Sequence, residues 1–263
     1  MDVNTSYKKK MDIQSVNLIN VTISEGVGVI EINRPSKLNS LSTEVMSELN
    51  QAFDELENAS EVKVIILRGA GDKAFAAGAD LAELAIANDT FTFMRCMDNY
   101  FSTYTKIMEL SKPVIAAVNG YAYGGACALA FSCDYVIATK RSKFGQQEIN
   151  YGFFGGAAFF TKMVGKIKAA EIVMLGEPFD AAEAYRLGLI NKLVEKEDFE
   201  ATVKEACDKF MEKSPWALKL IKKTIKLTMD SGLEAATWYE VNSLALCRQT
   251  EESRELLKEF IKE

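Results

Sequence analysis

Lys112-Pro-Val-Ile-Ala-Ala-Val-Asn-Gly-Tyr-Ala-Tyr-Gly-Gly-Ala-Cys127 is the stretch on which the fold turns. Residues 113–118 form a short apolar run, which predicts a buried strand. A glycine-rich turn follows and opens a helix near Gly125, so a strand feeds directly into a helix. Reading outward, the same alternation continues. Val27–Ile32 predicts a β-rich strand ended by Asn33-Arg-Pro35, because proline removes an N–H donor and restricts its predecessor. Met46, Leu49, Phe53 and Leu56 fall at helical spacing, which predicts an amphipathic helix over Thr43–Asn58 with Ser42 as N-cap and Glu44 in its first turn. A β-branched run at 62–67 predicts a buried strand, 73–84 a loop entering a helix, 88–110 a long helix and 135–138 another strand. Strands alternating with helices imply an α/β fold with parallel pairing.

From Ala169 onward the pattern is almost wholly helical. Gly188 stops a helix over 181–187, and further helices are expected over 201–213, 216–229, 233–247 and 251–261. The chain thus divides into a polar N-terminal tail (1–14), an α/β core (15–200) and a C-terminal helical region (201–263).

At 263 residues the chain can bury a full core without small-scaffold staples. A formal charge of -6 with no basic stripe argues against a nucleic-acid partner held through phosphates. The one basic cluster, Lys8 to Lys10, lies in the polar tail, with no apolar segment long enough for a signal peptide or a membrane span. Five cysteines (Cys96, Cys127, Cys133, Cys207 and Cys247) include no Cys-x-x-Cys pair, and the odd count points to free thiols in a reducing compartment, the cytoplasm by default. There is no histidine, which removes Ser-His-Asp and Cys-His nucleophiles, imidazole bases and histidine-bearing zinc sites. With no clustered carboxylate or cysteine spacing either, no metal is expected.

Two loops share one design. Ala74-Phe-Ala-Ala-Gly-Ala-Asp80 and Asn119-Gly-Tyr-Ala-Tyr-Gly-Gly-Ala-Cys127 each leave a strand and start a helix through glycine and alanine. Helix N-termini carry unpaired N–H groups and the positive end of the macrodipole, so two such loops facing one another could stabilise an oxyanion. Alone, either loop also reads as a tight strand-to-helix turn packed on a sheet. Neither gives Gly-x-Gly-x-x-Gly after the first strand, and there is no P-loop lysine motif.

These loops belong to a longer ordered set: Asn33-Arg-Pro35 with Asn39, residues 74–80, residues 112–120, Gly124-Gly125, Cys133-Asp134, Phe144-Gly-Gln-Gln-Glu-Ile149 and Gly188-Leu-Ile-Asn191. In that order, over nearly its whole length, the sequence resembles the crotonase superfamily, also called the enoyl-CoA hydratase/isomerase family. The resemblance implies a crotonase-type β/α spiral core followed by a helical oligomerisation region that forms homotrimers, often paired into hexamers. It implies an acyl-CoA substrate, with coenzyme A part of that substrate and no separate cofactor. By the same resemblance Ala79 and Gly125 supply oxyanion-hole amides and Glu148 the proton-transferring carboxylate. Lys37, Leu38, Ala77, Asp80, Leu81 and Ala82 lie along the bound coenzyme A, and Gly124 and Gly156 border the site. Lys37 reads equally as a phosphate contact or a solvated loop lysine.

Two departures bear on mechanism. Hydratases of the family carry two glutamates around a water, whereas here the first of those positions is Ala128 and only Glu148 remains. One carboxylate suffices to move a proton between two carbons of an enolate, which is double-bond isomerisation, while hydration also needs a positioned water. Raising the pKa of Glu148 requires burial, which Phe153 and Phe154 are expected to supply. The second departure is the aromatic stretch Tyr151-Gly-Phe-Phe-Gly-Gly-Ala-Ala-Phe-Phe160. It reads either as core packing or as a flat pocket for a cyclic or bulky acyl group, with Tyr123 and Tyr151 as hydroxyl donors. Acyl-CoA decarboxylation and a non-catalytic acyl-CoA-binding subunit are the alternative functions.

Overall fold

The computed structural model describes residues 17–86 and 89–262, so the tail expected over 1–14 lies outside the described residues. An antiparallel hairpin, β1 (Ile19–Ser24) and β2 (Val27–Ile32), opens the fold. Helix α1 (Thr43–Asn58) follows with the expected bounds. The Ser42 hydroxyl accepts the Val45 N–H at 3.2 Å, an N-cap contact worth ~1 kcal/mol. At its other end Lys112 Nζ donates to the Leu56 and Ala59 carbonyls at 2.5 and 2.6 Å, giving the last turn's orphan acceptors a cation.

Three successive turns of chain then repeat one plan, each placing a longer strand in one sheet and a three-residue strand in a second. The pairs are β3 (Val64–Gly69) with β4 (Ala74–Ala76), β5 (Val114–Val118) with β6 (Tyr121–Tyr123), and β7 (Tyr135–Thr139) with β8 (Lys143–Gly145). Helices α2 (Leu81–Ile86) and α3 (Thr90–Glu109) close the first turn, and α4 (Gly125–Phe131) closes the second. The third ends in a 3-10 turn at Glu148–Tyr151 and α5 (Ala157–Leu175), which Gly165 breaks at φ +77°. After β9 (Phe179–Asp180), α6 (Ala181–Arg186) and β10 (Lys192–Val194), helix α7 (Phe199–Met211) returns to the sheet. The larger sheet runs β1-β2-β3-β5-β7-β10 and the smaller β4-β6-β8-β9; only the β1-β2 and β8-β9 pairs are antiparallel. This is the β/α spiral expected from the sequence.

The principal core lies between the two sheets and under α1, α3 and α4, with Phe53, Phe75, Phe144 and Phe160 fully buried. A second cluster joins Phe199, Val203 and Cys207 of α7 to Val64, Ile66, Ile115 and Ile137 on the other sheet face. Helix α7 is therefore part of the core, and the helices that leave the sheets begin at α8 (Pro215–Ser231), followed by α9 (Leu233–Arg248) and α10 (Glu251–Lys262). Lys222 of α8 is buried and ties this region to the core, donating to the Asp134 carboxylate at 2.6 Å and the Lys112 carbonyl at 3.1 Å. Asp134 also accepts the Val114 N–H at 2.8 Å; burial pushes its pKa up and Lys222 opposes that. On the outer faces of α8 and α9 Ile221, Ile225, Trp238, Val241 and Leu244 stay exposed. Among the described residues no helix is long and apolar enough to cross a membrane.

Candidate active site

Adjacent parallel strands β4, β6 and β8 run with Ala76 beside Ala122 and Tyr123 beside Gly145, so the chain leaves all three at one edge of the smaller sheet. Their carboxyl ends deliver residues 77–80, 124–125 and 146–148 to one place, the position at which open α/β sheets bind ligands. Contact between the first two arms is direct. Gly78 (φ +91°) lies so close to the next arm that a Cβ there would fall 2.8 Å from the Tyr123 carbonyl oxygen. Its positive φ and the missing Cβ together let the chain pass.

Leu41 brackets Ala79. Its N–H donates to the Gly78 carbonyl at 2.8 Å, and its carbonyl accepts the Asp80 N–H at 2.9 Å. Among the described residues the Ala79 N–H itself donates to no protein acceptor. Gly124 (φ +53°, ψ −128°) is the N-cap of α4, and its N–H donates to the Gly145 carbonyl at 2.8 Å. Gly125 is the first helical residue, whose N–H has no acceptor inside the helix, and none outside it among the described residues. The two amides matched to an oxyanion hole are thus both left free on neighbouring arms.

Gly125 has a reason to be glycine that the sequence does not reveal. A Cβ there would meet Tyr104 Oη at 3.0 Å and the Tyr100 ring at 3.1 Å, so the position is closed by α3. At Gly124 a Cβ would instead fall 2.8 Å from Glu148 Oε1. The carboxylate thus lies against Gly124, and a Cβ at Gly155 would also fall 3.2 Å from the same oxygen. Glu148 Oε2 is buried without a hydrogen-bond partner among the described residues. Burial raises the Glu148 pKa above the ordinary carboxylate value. The pKa values of Tyr104 and Cys127 are raised chiefly by burial and further by the Glu148 charge. Ala128 sits buried on α4 one turn after Gly125.

The expectation that Phe154 helps to bury Glu148 needs correction. Phe154 is 73% exposed and Phe153 is half-buried, its ring 6.5 Å from the exposed Tyr151. Gly124 and Gly155 flank the carboxylate instead. Tyr123 is half-buried and stacks on Tyr121 at 5.3 Å, with its pKa raised by burial. Gly156 (φ +73°) caps α5 over Gln146, whose Nε2 donates to the Gly124 carbonyl at 3.1 Å. Lys37, Leu38, Leu81 and Ala82 are exposed around the first arm, and Leu38 accepts the Ala77 N–H at 3.0 Å. The Asp80 carboxylate is already engaged by Arg34 at 3.0 Å. Burial pushes its pKa up, but Arg34 and two backbone amides outweigh this and leave it lowered. Asn39, buried, accepts the Arg34 N–H and donates to the Ala70 and Ala74 carbonyls, which fixes the approach to that arm. Tyr100, Tyr104, Leu41 and Gln146 escape sequence reasoning because nothing in their spacing sets them apart from ordinary core positions.

Residues 22–263 match the family model described as enoyl-CoA hydratase/isomerase. A short-chain-enoyl-CoA hydratase of Clostridium acetobutylicum is 37% identical over 238 residues, 89% of this chain and 91% of that protein. The crotonyl-CoA hydratase of Syntrophomonas wolfei is 34% identical over 242 residues, 90% of this chain and 92% of its own. Among solved structures, an enoyl-CoA hydratase of Bacillus anthracis superposes with a TM-score of 0.87 at 29% identity, covering 93% of this chain and 96% of that one. The Mycobacterium smegmatis enoyl-CoA hydratase gives 0.89 at 27% identity, covering 93% and 96%.

Proposed function

The chain belongs to the enoyl-CoA hydratase/isomerase family and is an enzyme of acyl-CoA chemistry; from that premise we propose that it shifts a double bond in an enoyl-CoA, with Glu148 as the sole proton carrier. Ala79 and Gly125 donate their N–H groups to the thioester oxygen. Glu148 takes a proton from C2, the negative charge moves onto that oxygen as a dienolate, and the same carboxyl returns the proton to C4. The observation that carries this reading is the Glu148 carboxylate, its Oε2 buried and without a partner among the described residues, lying against Gly124 and so next to the free Gly125 amide. Coenzyme A runs past Lys37, Leu38 and Ala77 to Leu81 and Ala82, with Asp80 contributing backbone because its carboxylate belongs to Arg34. Tyr123, Tyr151 and Phe153 border the acyl group.

Hydration by one glutamate is the second reading, favoured by the hydratase names of the relatives at 34–37% identity. Mass spectrometry of a panel of straight-chain, branched and cyclic enoyl-CoAs in heavy water separates the two. Isomerisation leaves the mass unchanged apart from deuterium at C2 or C4, hydration adds one water, and loss of carbon dioxide from a carboxylated acyl-CoA would replace both readings. We further propose that the exposed apolar positions of α8 and α9 are covered in a homotrimer or a dimer of trimers. Light scattering showing a monomer at micromolar concentration would contradict this.

A further inference from the structure

Amides polarise a carbonyl only if their N–H vectors are fixed before the substrate arrives. Each peptide is planar, so pinning its carbonyl aims the N–H of the following residue. At Ala79 the peptide 78–79 is pinned through the Gly78 carbonyl and the peptide 79–80 through the Asp80 N–H, both by Leu41. Leu41 is held in turn, because its carbonyl accepts Tyr100 Oη at 2.5 Å. At Gly125 the peptide 124–125 is pinned where Gln146 reaches the Gly124 carbonyl, and the peptide 125–126 where Tyr104 Oη donates to the Gly125 carbonyl at 2.8 Å. Tyr100 and Tyr104 stand one turn apart on the same face of α3, their rings 6.4 Å apart and edge-on.

We infer that the Tyr100–Tyr104 pair of α3 is a positioning clamp, one phenol for each arm, that holds the peptides just after Ala79 and Gly125 in place while Leu41 and Gln146 aim the two amides themselves. The inference rests on the reading of those amides as the thioester's oxyanion hole. Burial raises the pKa of both phenols, so both remain protonated donors through the working pH range. A phenylalanine would fill the same space and pack the same ring, so only the hydroxyls distinguish a clamp from core packing. Gly125 fits this scheme: a Cβ there would fall 3.0 Å from the Tyr104 hydroxyl and 3.1 Å from the Tyr100 ring.

The test uses 3-phenylpropenoyl-CoA, whose conjugated ultraviolet band shifts to the red when the thioester carbonyl is polarised. Tyr104→Phe is expected to bind this probe as the unmodified enzyme does, to lose much of the red shift, and to reduce kcat on the preferred enoyl-CoA about tenfold with KM little changed. Tyr100→Phe should do the same through the other arm, so either variant can report if its fellow fails to fold. Lys106→Met serves as the comparison, since Lys106 ties α3 to Asp54 and the Asn50 carbonyl without touching either phenol. It should lower Tm and leave the band alone. A full red shift in the folded phenylalanine variants, or an equal loss in Lys106→Met, would overturn the clamp. Absence of a red shift in the unmodified enzyme would instead remove the oxyanion reading on which it stands.

Discussion

The amide side of the site and its carboxylate side are held in opposite ways. Around Ala79 and Gly125 each flanking peptide has a partner, supplied by Leu41, Gln146 and Tyr104. Glu148 sits on a single 3-10 turn, confined by the glycines at 124 and 155, and one of its oxygens meets no partner among the described residues. The difference follows from the two tasks. A charge-stabilising donor works best when it cannot move, because no free energy is then spent on reorientation as charge develops. A carboxylate that must collect a proton at one carbon and deliver it at another gains from the opposite arrangement. Hydrogen bonds to it would stabilise its charged form, lower its pKa and weaken it as a base.

Removing the base should have the largest effect. Glu148→Gln keeps shape and polarity but cannot accept a proton, so turnover should fall at least ~100-fold while acyl-CoA affinity is retained. Unchanged turnover would mean that another group moves the proton. Tyr104 then becomes the first suspect, ahead of the exposed Tyr151, because its hydroxyl meets the Gly125 position, next to the Gly124 that Glu148 lies against.

Damage to the amide side should come next. Gly125→Val drives a branched side chain into Tyr100 and Tyr104, which must move or tilt the arm, so the variant reorients the amide through α3 before anything touches the thioester. Losing one such donor costs ~3 kcal/mol, about two orders of magnitude in rate. Overpacking should add a stability loss of ~1–3 kcal/mol, read from the denaturation midpoint. Near-normal turnover in the folded variant would show that the substrate oxygen does not sit at Gly125.

How much of this was legible in the sequence follows the same division. β2 and α1 match their expected bounds because each has a full period of pattern, alternation in one and a 3.6-residue stripe in the other. The strands at Tyr121–Tyr123, Lys143–Gly145, Phe179–Asp180 and Lys192–Val194 have two or three residues, too few for any period to mark them in the sequence. Those short strands nevertheless build the sheet edge that assembles the site. Glycine and alanine at a strand-to-helix turn leave a trace that marks the two loops, and the family resemblance picks out Ala79 and Gly125 within them. Tyr100 and Tyr104 leave none, since two aromatics at i and i+4 in an amphipathic helix look like any core stripe. An aromatic run likewise says nothing about which ring turns inward, and Phe154 is exposed.

The smallest effect separates the two sides by stability rather than rate. Burial raises the Glu148 pKa in the folded chain above its value of 4.5 in an unfolded one. The folded state therefore holds its proton to higher pH, and stability falls as pH rises from the unfolded pKa through the folded one. Above that window the protein carries the full cost of a buried, ionised carboxylate. Glutamine carries no such charge. Glu148→Gln should melt at a higher temperature than the unmodified enzyme at pH 7, and this gain should shrink as the pH approaches 4.5 and vanish below it. The acid limb of kcat/KM in the unmodified enzyme reports the same group, because Glu148 must be ionised to accept a proton, so activity should rise with pH through the same raised value. Thermal melts and the rate profile are independent measurements of one titration. If the melting gain does not depend on pH, or the two midpoints disagree, then Glu148 is either not buried as a charge or not the base.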